Sequence, residues 1–334
     1  MMEITEIQSL FDRFADQNII IIGDVMIDSY MWGKVNRISP EAPIPVVSVN
    51  DKENRLGGAS NVALNVKALG ANPIMCSVVG DDDYAAEFLR LLEENKLPTK
   101  GILHSPYRRT SVKTRIISQA QHLLRVDEED ENALDTETET RLKAKFDELL
   151  EQYKPKAIIF EDYDKGVITP GIIKHVVNKA NEAGVITSVD PKKRQFMDYL
   201  GVSLFKPNFK EMKEGMKADF TPDNLSAIKG LIIKLMKDKQ IDRVLLTMAD
   251  AGVVIADENN FTHIEAEVRN IADVSGAGDT VIATATLCMC SGCSLYDIAF
   301  ISNMAGGLVC EYSGVVPIDR QELMDELEEK YKAK

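Results

Sequence analysis

The stretch Asn18-Ile-Ile-Ile-Ile-Gly23 decides the fold class of this chain. Its apolar residues follow one another without alternation, which is typical of a parallel strand that is buried on both faces. Similar apolar runs recur along the chain, at residues 72–80, 156–160, 185–190, 203–206 and 243–247. Because parallel neighbours need a crossover between them, we expect helices in the intervals.

Helical patterns do lie in those intervals, over residues 59–69, 82–95 and 170–183. The last of these begins at Thr169-Pro170, a capping hydroxyl followed by proline at the first helical position. Further helices are predicted over residues 1–17, 278–290, 295–312 and 320–332. The alternation of strand and helix predicts an α/β fold, with a mostly parallel central sheet covered by helices on both faces.

Two stretches break this alternation. Residues 45–50 and 110–127 alternate β-branched and polar side chains, which is typical of strands with one exposed face. We expect them to form a small sheet that stands off the core as a lid or an oligomer clasp, with strands within 35–52 and 108–127. The alternative is two ordinary surface hairpins. The acidic run at 127–139 is interpreted as a solvated loop entering a helix.

The composition excludes several classes of protein. The 334 residues include 39 Lys and Arg against 53 Asp and Glu, a formal net charge of −14. A nucleic-acid-binding protein needs a basic face, so this class is not expected, although a few local cations could still bind a small anion. No stretch approaches the roughly 20 apolar residues of a membrane helix, and the N-terminal pattern is not that of a signal peptide.

The cysteines indicate a reduced compartment. There are five, an odd number without an evident disulfide framework, and we therefore expect a cytoplasmic protein. Cys288, Cys290 and Cys293 lie in a predicted helix at positions that point in different directions. We interpret them as packed thiols rather than as a zinc site.

Common catalytic motifs are absent from the sequence. It contains no G-x-x-x-x-G-K-[ST] phosphate loop, no G-x-G-x-x-G dinucleotide motif, no G-x-S-x-G elbow and no paired-histidine zinc helix. The four histidines are isolated from one another, at positions 104, 122, 175 and 263. These absences argue against the most frequent hydrolase and oxidoreductase chemistries.

The strongest functional signal is Asp273-Val-Ser-Gly-Ala-Gly-Asp279, which directly precedes a helix of small residues. Small side chains let the backbone approach a ligand closely, and the free N–H groups of a first helical turn bind anions. A carboxylate at Asp279 could accept the proton of a substrate hydroxyl while those amides hold the charge of a transferred phosphoryl group. The alternative is that Asp279 only caps the helix.

This stretch resembles the C-terminal signature D-[TV]-[ST]-G-A-G-D of the ribokinase-like, or PfkB-type, carbohydrate kinases, and the resemblance extends over nearly the whole chain. It implies a three-layer α/β/α sandwich with a β-sheet lid, and ATP and Mg²⁺ as cofactors. Three further motifs match the family: Gly23-Asp24-Val-Met-Ile-Asp28, Gly57-Gly58-Ala-Ser-Asn61 and Asn208-Phe-Lys-Glu211.

The resemblance implies roles for these residues. Asp279 would be the base, with the amides of Gly276, Ala277 and Gly278 stabilising the transition state. The sugar would be held by Asp28, Gly57, Gly58, Asn61, Asp162 and Asp190. ATP would be held by Asn208, Glu211, Thr247, Gly252, Ser275, Gly276, Gly278 and Asn303, with Glu211 binding Mg²⁺ through water.

The residues themselves support two of these assignments. Asp28 follows a buried strand, and Asn208 follows another, so both belong at the carboxyl edge where open α/β sheets bind ligands. Glu211 lies one helical turn after Asn208. The alternatives are a turn-forming aspartate at position 28 and an ordinary helix start at position 208.

Three segments resemble the bacterial D-glycero-β-D-manno-heptose 7-phosphate kinases of lipopolysaccharide core synthesis. They are residues 37–46, 162–166 and 190–192, with Asp164 where a small residue is usual. The resemblance implies phosphorylation of the C1 hydroxyl of a sugar that already carries a phosphate. A cation must then hold that far-end phosphate, and the candidates are Arg115, Lys165 and Lys192.

Two alternatives remain open: a kinase of the same family for ribose, fructose or a hexose phosphate, and a non-catalytic sensor of sugar and nucleotide on the same fold. We expect one kinase domain over residues 1–334, without the nucleotidyltransferase domain often fused to heptose kinases. A homodimer through the lid strands is also expected, because unpaired edge strands invite pairing.

Overall fold

The structure, a computed structural model, describes residues 4–119 and 121–332. In these residues the strands, in chain order, are β1 (Asn18–Gly23), β2 (Val25–Ile38), β3 (Pro45–Gly58), β4 (Asn72–Val79), β5 (Ile102–His104), β6 (Ser111–Ser118), β7 (Gln121–Glu128), β8 (Ala157–Glu161), β9 (Ile186–Asp190), β10 (Leu204–Phe205), β11 (Val244–Thr247), β12 (Val253–Ala256) and β13 (Phe261–Ile264). The helices are α1 (Ile4–Phe14), α2 (Ala59–Ala68), α3 (Asp83–Glu94), α4 (Thr136–Tyr153), α5 (Pro170–Ala183), α6 (Phe209–Met216), α7 (Leu225–Lys239), α8 (Ala277–Cys290), α9 (Leu295–Val309) and α10 (Arg320–Lys332).

The large sheet has nine strands in the order β13-β12-β11-β10-β9-β8-β1-β4-β5. Every neighbouring pair from β11 to β5 is parallel, and only β12 and β13 add antiparallel pairs at one edge. The opening stretch lies inside this sheet, where Ile20 pairs with Ile74 of β4 and with Ile158 of β8. The expectation of buried parallel strands is confirmed.

Two hydrophobic cores cover the two faces of this sheet. Ile19 and Ile21 of β1 belong to one core, together with α1, α2, α3, α8, α9 and α10. Ile20 and Ile22 belong to the other, together with α4, α5, α6 and α7. Because successive strand residues point to opposite faces, a strand without alternation supplies both cores. The three-layer α/β/α class is confirmed.

A separate sheet of four strands, the small sheet, has the order β3-β2-β6-β7. It is larger than the sequence predicted, because β2 leaves β1 after the single residue Asp24 and continues into it. The first half of β2 is buried and its second half is exposed, so it shows no single hydrophobic period. Ala120, within the predicted stretch 110–127, lies outside the described residues, as do positions 1–3 of the predicted first helix.

Other elements differ from the sequence prediction at their ends or were not predicted. The acidic run at 127–139 contains the end of β7, a loop and the first turn of α4, which the side chain of Asp135 caps. The helix predicted over 295–312 ends at Val309, because the carbonyl oxygen of Cys310 instead accepts hydrogen bonds from the N–H groups of Ala272 and Asp273. The strands β5, β12 and β13 and the helix α7 were not predicted, and α6 was considered only as a helix start at position 208.

Among the residues that the structure describes, none of the helices combines the length and apolar character needed to span a bilayer. The five cysteines are free thiols, of which Cys288 is buried while Cys290 and Cys293 are half-buried.

Two glycine substitutions test the packing of the large sheet. A Cβ on Gly23 would lie 2.0 Å from the carbonyl oxygen of Glu161 on the paired strand. Gly23→Ala should therefore destabilise the protein by about 1–3 kcal/mol, as overpacking does. In α7, a Cβ on Gly230 would meet nothing within 4 Å, so Gly230→Ala should stabilise by about 0.5–1 kcal/mol. Urea unfolding measures both values, and a Gly23→Ala variant as stable as the parent would contradict this packing.

Candidate active site

The first turn of α8 lies at the carboxyl ends of β8 and β9, where Asp279 approaches Glu161 and Asp190. Gly276 precedes the helix with φ +82°, and a Cβ there would lie 2.8 Å from Nδ2 of Asn61. Glycine is therefore required both for the backbone conformation and for the approach of Asn61. Asp279 is the third residue of the helix and is buried.

The Asp279 carboxylate accepts two side-chain hydrogen bonds. Asn61 donates from Nδ2 to Oδ2 at 2.6 Å, and the Tyr163 hydroxyl donates to Oδ1 at 2.9 Å. Burial raises the pKa of Asp279 to about 6, and nearby Asp190 acts in the same direction against the two hydrogen bonds. A carboxylate with this pKa is ionised at neutral pH and is a stronger base than an exposed aspartate.

The glycine pair before α2, Gly57 and Gly58, lets the backbone pass close to Asp28 and Asp24 just before Asn61. A Cβ on Gly57 would lie 2.1 Å from Oδ2 of Asp28. Gly58 has φ +59°, and a Cβ there would lie 2.5 Å from the carbonyl oxygen of Asp24. The backbone can pass between the two aspartates only without side chains, and α2 then begins with Asn61 in its first turn.

Asp28 and Arg115, both predicted to bind the sugar, contact each other. The distance from Nη1 of Arg115 to Oδ1 of Asp28 is 2.5 Å. The Arg115 guanidinium also lies 5.3 Å from the ring centroid of Tyr30. These residues come from neighbouring strands of the small sheet, β2 and β6.

Asp24, which the sequence analysis did not select, holds the loop after β8. Its carboxylate accepts hydrogen bonds from the backbone N–H groups of Tyr163, Lys165 and Val167, at 2.8, 3.1 and 2.9 Å. Burial raises the pKa of Asp24, while these three bonds oppose that shift. The loop that carries Tyr163 to Asp279 is thus fixed by the buried side chain of Asp24, the residue between β1 and β2.

Two predicted sugar ligands lie in this loop. Asp162 accepts a hydrogen bond from the Tyr199 hydroxyl at 3.3 Å and one from the N–H group of Asp164 at 2.9 Å. Burial, reinforced by Asp24, raises the pKa of Asp162 to about 7. Lys165 points elsewhere, and its ammonium binds two acidic side chains of the segment that follows β7, at 2.6 and 2.9 Å.

A buried lysine, Lys206, joins Asp190 at the end of β9. Its Nζ lies 2.8 Å from Oδ2 of Asp190, and Lys192 lies 3.5 Å from Oδ1. Burial raises the pKa of Asp190, but the two lysines outweigh it and the pKa lies below the usual range. A Cβ on Gly278 would lie 3.5 Å from both Lys206 and Asp190, which places this pair beside the first turn of α8.

Asn208 and Glu211 form a capping box at the start of α6. The side chain of each accepts a hydrogen bond from the backbone N–H of the other, at 2.9 and 2.8 Å. Glu211 also binds Lys192 at 2.6 Å, which connects α6 to Asp190. Thr247 pairs with Asn208 through a parallel bridge. The helix-start interpretation is correct for both residues, and a role in binding ATP or Mg²⁺ stays a prediction.

The remaining predicted nucleotide ligands lie in two groups. Gly252 has φ +82° and no room for a Cβ beside the carbonyl oxygen of Ile264, while Asn303 donates to the carbonyl oxygen of Glu265 at 3.1 Å. Both therefore lie at the segment that follows β13. Ser275 instead lies before α8, where its N–H binds the Asp273 carboxylate at 2.9 Å.

Glu161, at the end of β8, was missed by the sequence analysis. It is fully buried, and neither carboxylate oxygen has a hydrogen-bond partner in the described residues. One ligand atom each of Glu161, Asp190 and Asp279 lie within 4.8 Å of one another. Burial raises the pKa of Glu161 well above its usual value, and the two neighbouring carboxylates add to this shift. The sequence did contain one sign of Glu161, namely an acidic residue directly after the apolar run at 156–160.

The arrangement suits transfer of a charged group to a hydroxyl. A buried carboxylate with a raised pKa lies in the first turn of a helix, whose N–H groups and dipole bind anions. A buried ammonium lies beside it, and two further carboxylates surround the same space. The donors needed to hold charge and the acceptor needed to remove a proton are therefore close together.

Replacing Glu161 by glutamine tests its protonation. Because the pKa of Glu161 is raised in the folded protein, the folded state favours the neutral acid. In the unfolded chain Glu161 ionises above its ordinary pKa of about 4.5, so the folded protein loses stability as the pH rises above that value. Glutamine resembles the neutral acid and cannot ionise. The free energy of unfolding of Glu161→Gln, taken relative to that of the parent, should therefore increase by at least about 1 kcal/mol as the pH rises from about 5 to about 8.

Urea unfolding at several pH values measures this difference. The exposed Glu151 of α4 provides the control, since Glu151→Gln should show no such trend. If the difference in the free energy of unfolding between Glu161→Gln and the parent stayed constant across this pH range, a neutral Glu161 in the folded protein would be contradicted.

Comparisons with known proteins agree on one family. The model of the pfkB family carbohydrate kinases matches residues 16–321. The bifunctional protein HldE of Methylobacillus flagellatus is 36% identical over 315 residues, which cover 94% of this chain and 64% of the relative. That of Caulobacter vibrioides is 39% identical over 316 residues, covering 93% and 63%. The chain thus spans less than two thirds of the length of these relatives.

Solved structures share the fold. Phosphofructokinase-2 from Escherichia coli in complex with fructose-6-phosphate superposes with a TM-score of 0.76 at 16% identity, covering 95% of this chain and 99% of that one. Ribokinase from Arabidopsis thaliana complexed with ribose and ATP gives a TM-score of 0.69 at 14% identity, covering 92% and 98%. At these identities the likeness shows the ribokinase-like fold.

Proposed function

The chain belongs to the pfkB family of carbohydrate kinases, and on this premise we propose that it phosphorylates the C1 hydroxyl of D-glycero-β-D-manno-heptose 7-phosphate with ATP. The product would be the 1,7-bisphosphate, in the route to ADP-heptose and the lipopolysaccharide core. The choice of sugar is supported by the three segments that resemble heptose 7-phosphate kinases, at residues 37–46, 162–166 and 190–192.

The observation that carries the proposal is the buried Asp279 carboxylate in the first turn of α8. As the C1 oxygen attacks the terminal phosphorus of ATP, Asp279 accepts the hydroxyl proton. The new P–O bond forms while the bond to the leaving ADP breaks. The N–H groups of Gly276, Ala277 and Gly278, at the start of α8, would hold the negative charge on the transferred group. Asn61 and Tyr163 keep the carboxylate oriented.

The residues around Lys192 fit a magnesium ion carried by ATP. Glu211 and Asp190 offer carboxylate oxygens on either side of this lysine, and Mg²⁺ prefers such hard oxygen donors. Glu211 would hold the ion through water. When bound, Mg²⁺ would neutralise charge on the phosphates, as phosphoryl transfer requires. Lys206 adds a fixed positive charge beside the same helix turn.

The sugar would lie between the small sheet and the carboxyl edge of the large sheet. Asp28 belongs to β2, Asp162 directly follows β8, and Asp190 is the last residue of β9. Because the small sheet carries Asp28 and Arg115, its closure over the sugar would complete the site and exclude water, which would otherwise consume ATP.

A second copy of the chain is the proposed partner of the small sheet. Several apolar side chains of this sheet and of the turn between β2 and β3 are exposed, namely Val35, Ile38, Ile44, Val49, Leu123, Leu124 and Val126. Exposed apolar side chains on a sheet with free edges favour pairing between copies. We propose a cytoplasmic homodimer that binds ATP and a small sugar phosphate.

A coupled assay of ADP release with Mg²⁺ and ATP tests the function. Heptose 7-phosphate should be turned over, and phosphorus NMR should place the new phosphate on C1. Asp279→Asn, which keeps the shape but cannot accept the proton, should lose about 10²–10⁴-fold in kcat and still bind ATP. Turnover of unphosphorylated ribose but not of heptose 7-phosphate would overturn the proposed sugar. Near-normal turnover by Asp279→Asn would overturn the base.

A further inference from the structure

The three cations predicted to hold the far-end phosphate of the sugar are already occupied. Each contacts a carboxylate of the chain: the pairs are Arg115–Asp28 at 2.5 Å, Lys165–Glu129 at 2.6 Å and Lys192–Glu211 at 2.6 Å. A phosphate would have to displace these partners. An ammonium or guanidinium without a carboxylate partner would bind a phosphate at lower cost, because no existing ion pair has to be broken.

Arg108, between β5 and β6, is such a cation. Its Nη2 donates to the carbonyl oxygen of Lys165 at 2.7 Å, and its Nε is buried without an acceptor. Among residues 4–119 and 121–332, no carboxylate lies within ion-pair distance of its guanidinium. Burial lowers the pKa of Arg108, and Asp24 and Asp130 oppose that shift only from a distance. The guanidinium is thus half-buried and keeps an unused buried donor, Nε.

The position of Arg108 places it at the proposed sugar pocket. Its bond to Lys165 attaches it to the loop after β8, which also carries Asp162. It lies three residues before the start of β6, which pairs with the β2 segment that carries Asp28. Within the described residues the Asp24 carboxylate is not at ion-pair distance from Arg108, and it accepts three backbone N–H groups instead. The guanidinium therefore lies where the small sheet joins the carboxyl edge of the large sheet.

We propose that Arg108 binds the phosphate that the sugar already carries, and so selects a phosphorylated sugar over a free one. This inference rests on the proposed function, of which it names the specificity-determining residue. A guanidinium presents several N–H donors in one plane, which match the oxygens of a phosphomonoester dianion. The dianion would supply both the missing acceptor for Nε and the missing counter-charge.

The test compares two substrates, heptose 7-phosphate and the same heptose without phosphate. Arg108→Gln should raise KM for the phosphorylated sugar about 10–100-fold, the range of a hydrogen bond to a charged group. Its kcat, its KM for ATP and its kinetics with the free heptose should stay near those of the parent. Arg108→Lys should recover part of the loss, because lysine keeps the charge but not the planar donors.

Arg109 is the matched control, since it is the neighbouring arginine and is exposed. Arg109→Gln should leave both substrates unchanged. If Arg108→Gln weakened both sugars equally, or lowered kcat and Tm together, Arg108 would only support the loop after β8 and the inference would be overturned.

A second measurement does not depend on which sugar the enzyme uses. Inorganic phosphate is titrated by calorimetry into the protein saturated with ADP, so that the nucleotide site is filled. Binding by the parent and by Arg109→Gln, with loss in Arg108→Gln, supports the phosphate subsite even if heptose 7-phosphate is not turned over. Equal binding by the parent and Arg108→Gln, or no binding by either, overturns the subsite.

Discussion

Burial of the Asp279 carboxylate in the first turn of α8 is the constraint on which the rest of the site depends. A buried carboxylate needs hydrogen bonds, and Asn61 and Tyr163 supply them from two distant parts of the chain. Asn61 can approach only because Gly276 has no side chain. Tyr163 is in place because Asp24 binds the backbone of its loop. Gly276 and the buried Asp24 thus both help to hold the hydrogen-bond partners of Asp279 in position.

Charge around this carboxylate is balanced locally rather than by the molecule as a whole. The chain carries a net charge of −14, yet both proposed ligands are anions. The buried ammonium of Lys206 lies against Asp190, and Lys192 bridges Asp190 and Glu211, so the carboxylates beside this helix turn are paired with two lysines. Glu161 adds a buried carboxyl group whose raised pKa favours its neutral form. Long-range attraction of the ligands should therefore matter less than these few contacts.

The sequence predicted the large sheet well, because continuous apolar runs such as Asn18–Gly23 and capped helices such as Pro170–Ala183 are local signals. It predicted β2 poorly, because that strand is buried at its start and exposed at its end. Motifs indicated Asp279, but its contact with Tyr163 joins residues 116 positions apart and had no local signal. The ion-pair partners of the predicted cations could not be predicted from the sequence either, because a pair such as Lys165–Glu129 depends on how distant segments fold together.

The pH dependence of kcat/KM for the sugar tests most directly whether the buried Asp279 is the base. Its pKa is raised to about 6, so the carboxylate is protonated and unable to accept a proton below that pH. We predict an acidic limb with its midpoint near pH 6, falling about tenfold per pH unit below it. Tyr163→Phe removes a hydrogen bond that favours the ionised form, so its midpoint should lie at higher pH. A rate that is independent of pH from about 5 to 8, in the parent and in Tyr163→Phe alike, would contradict the account.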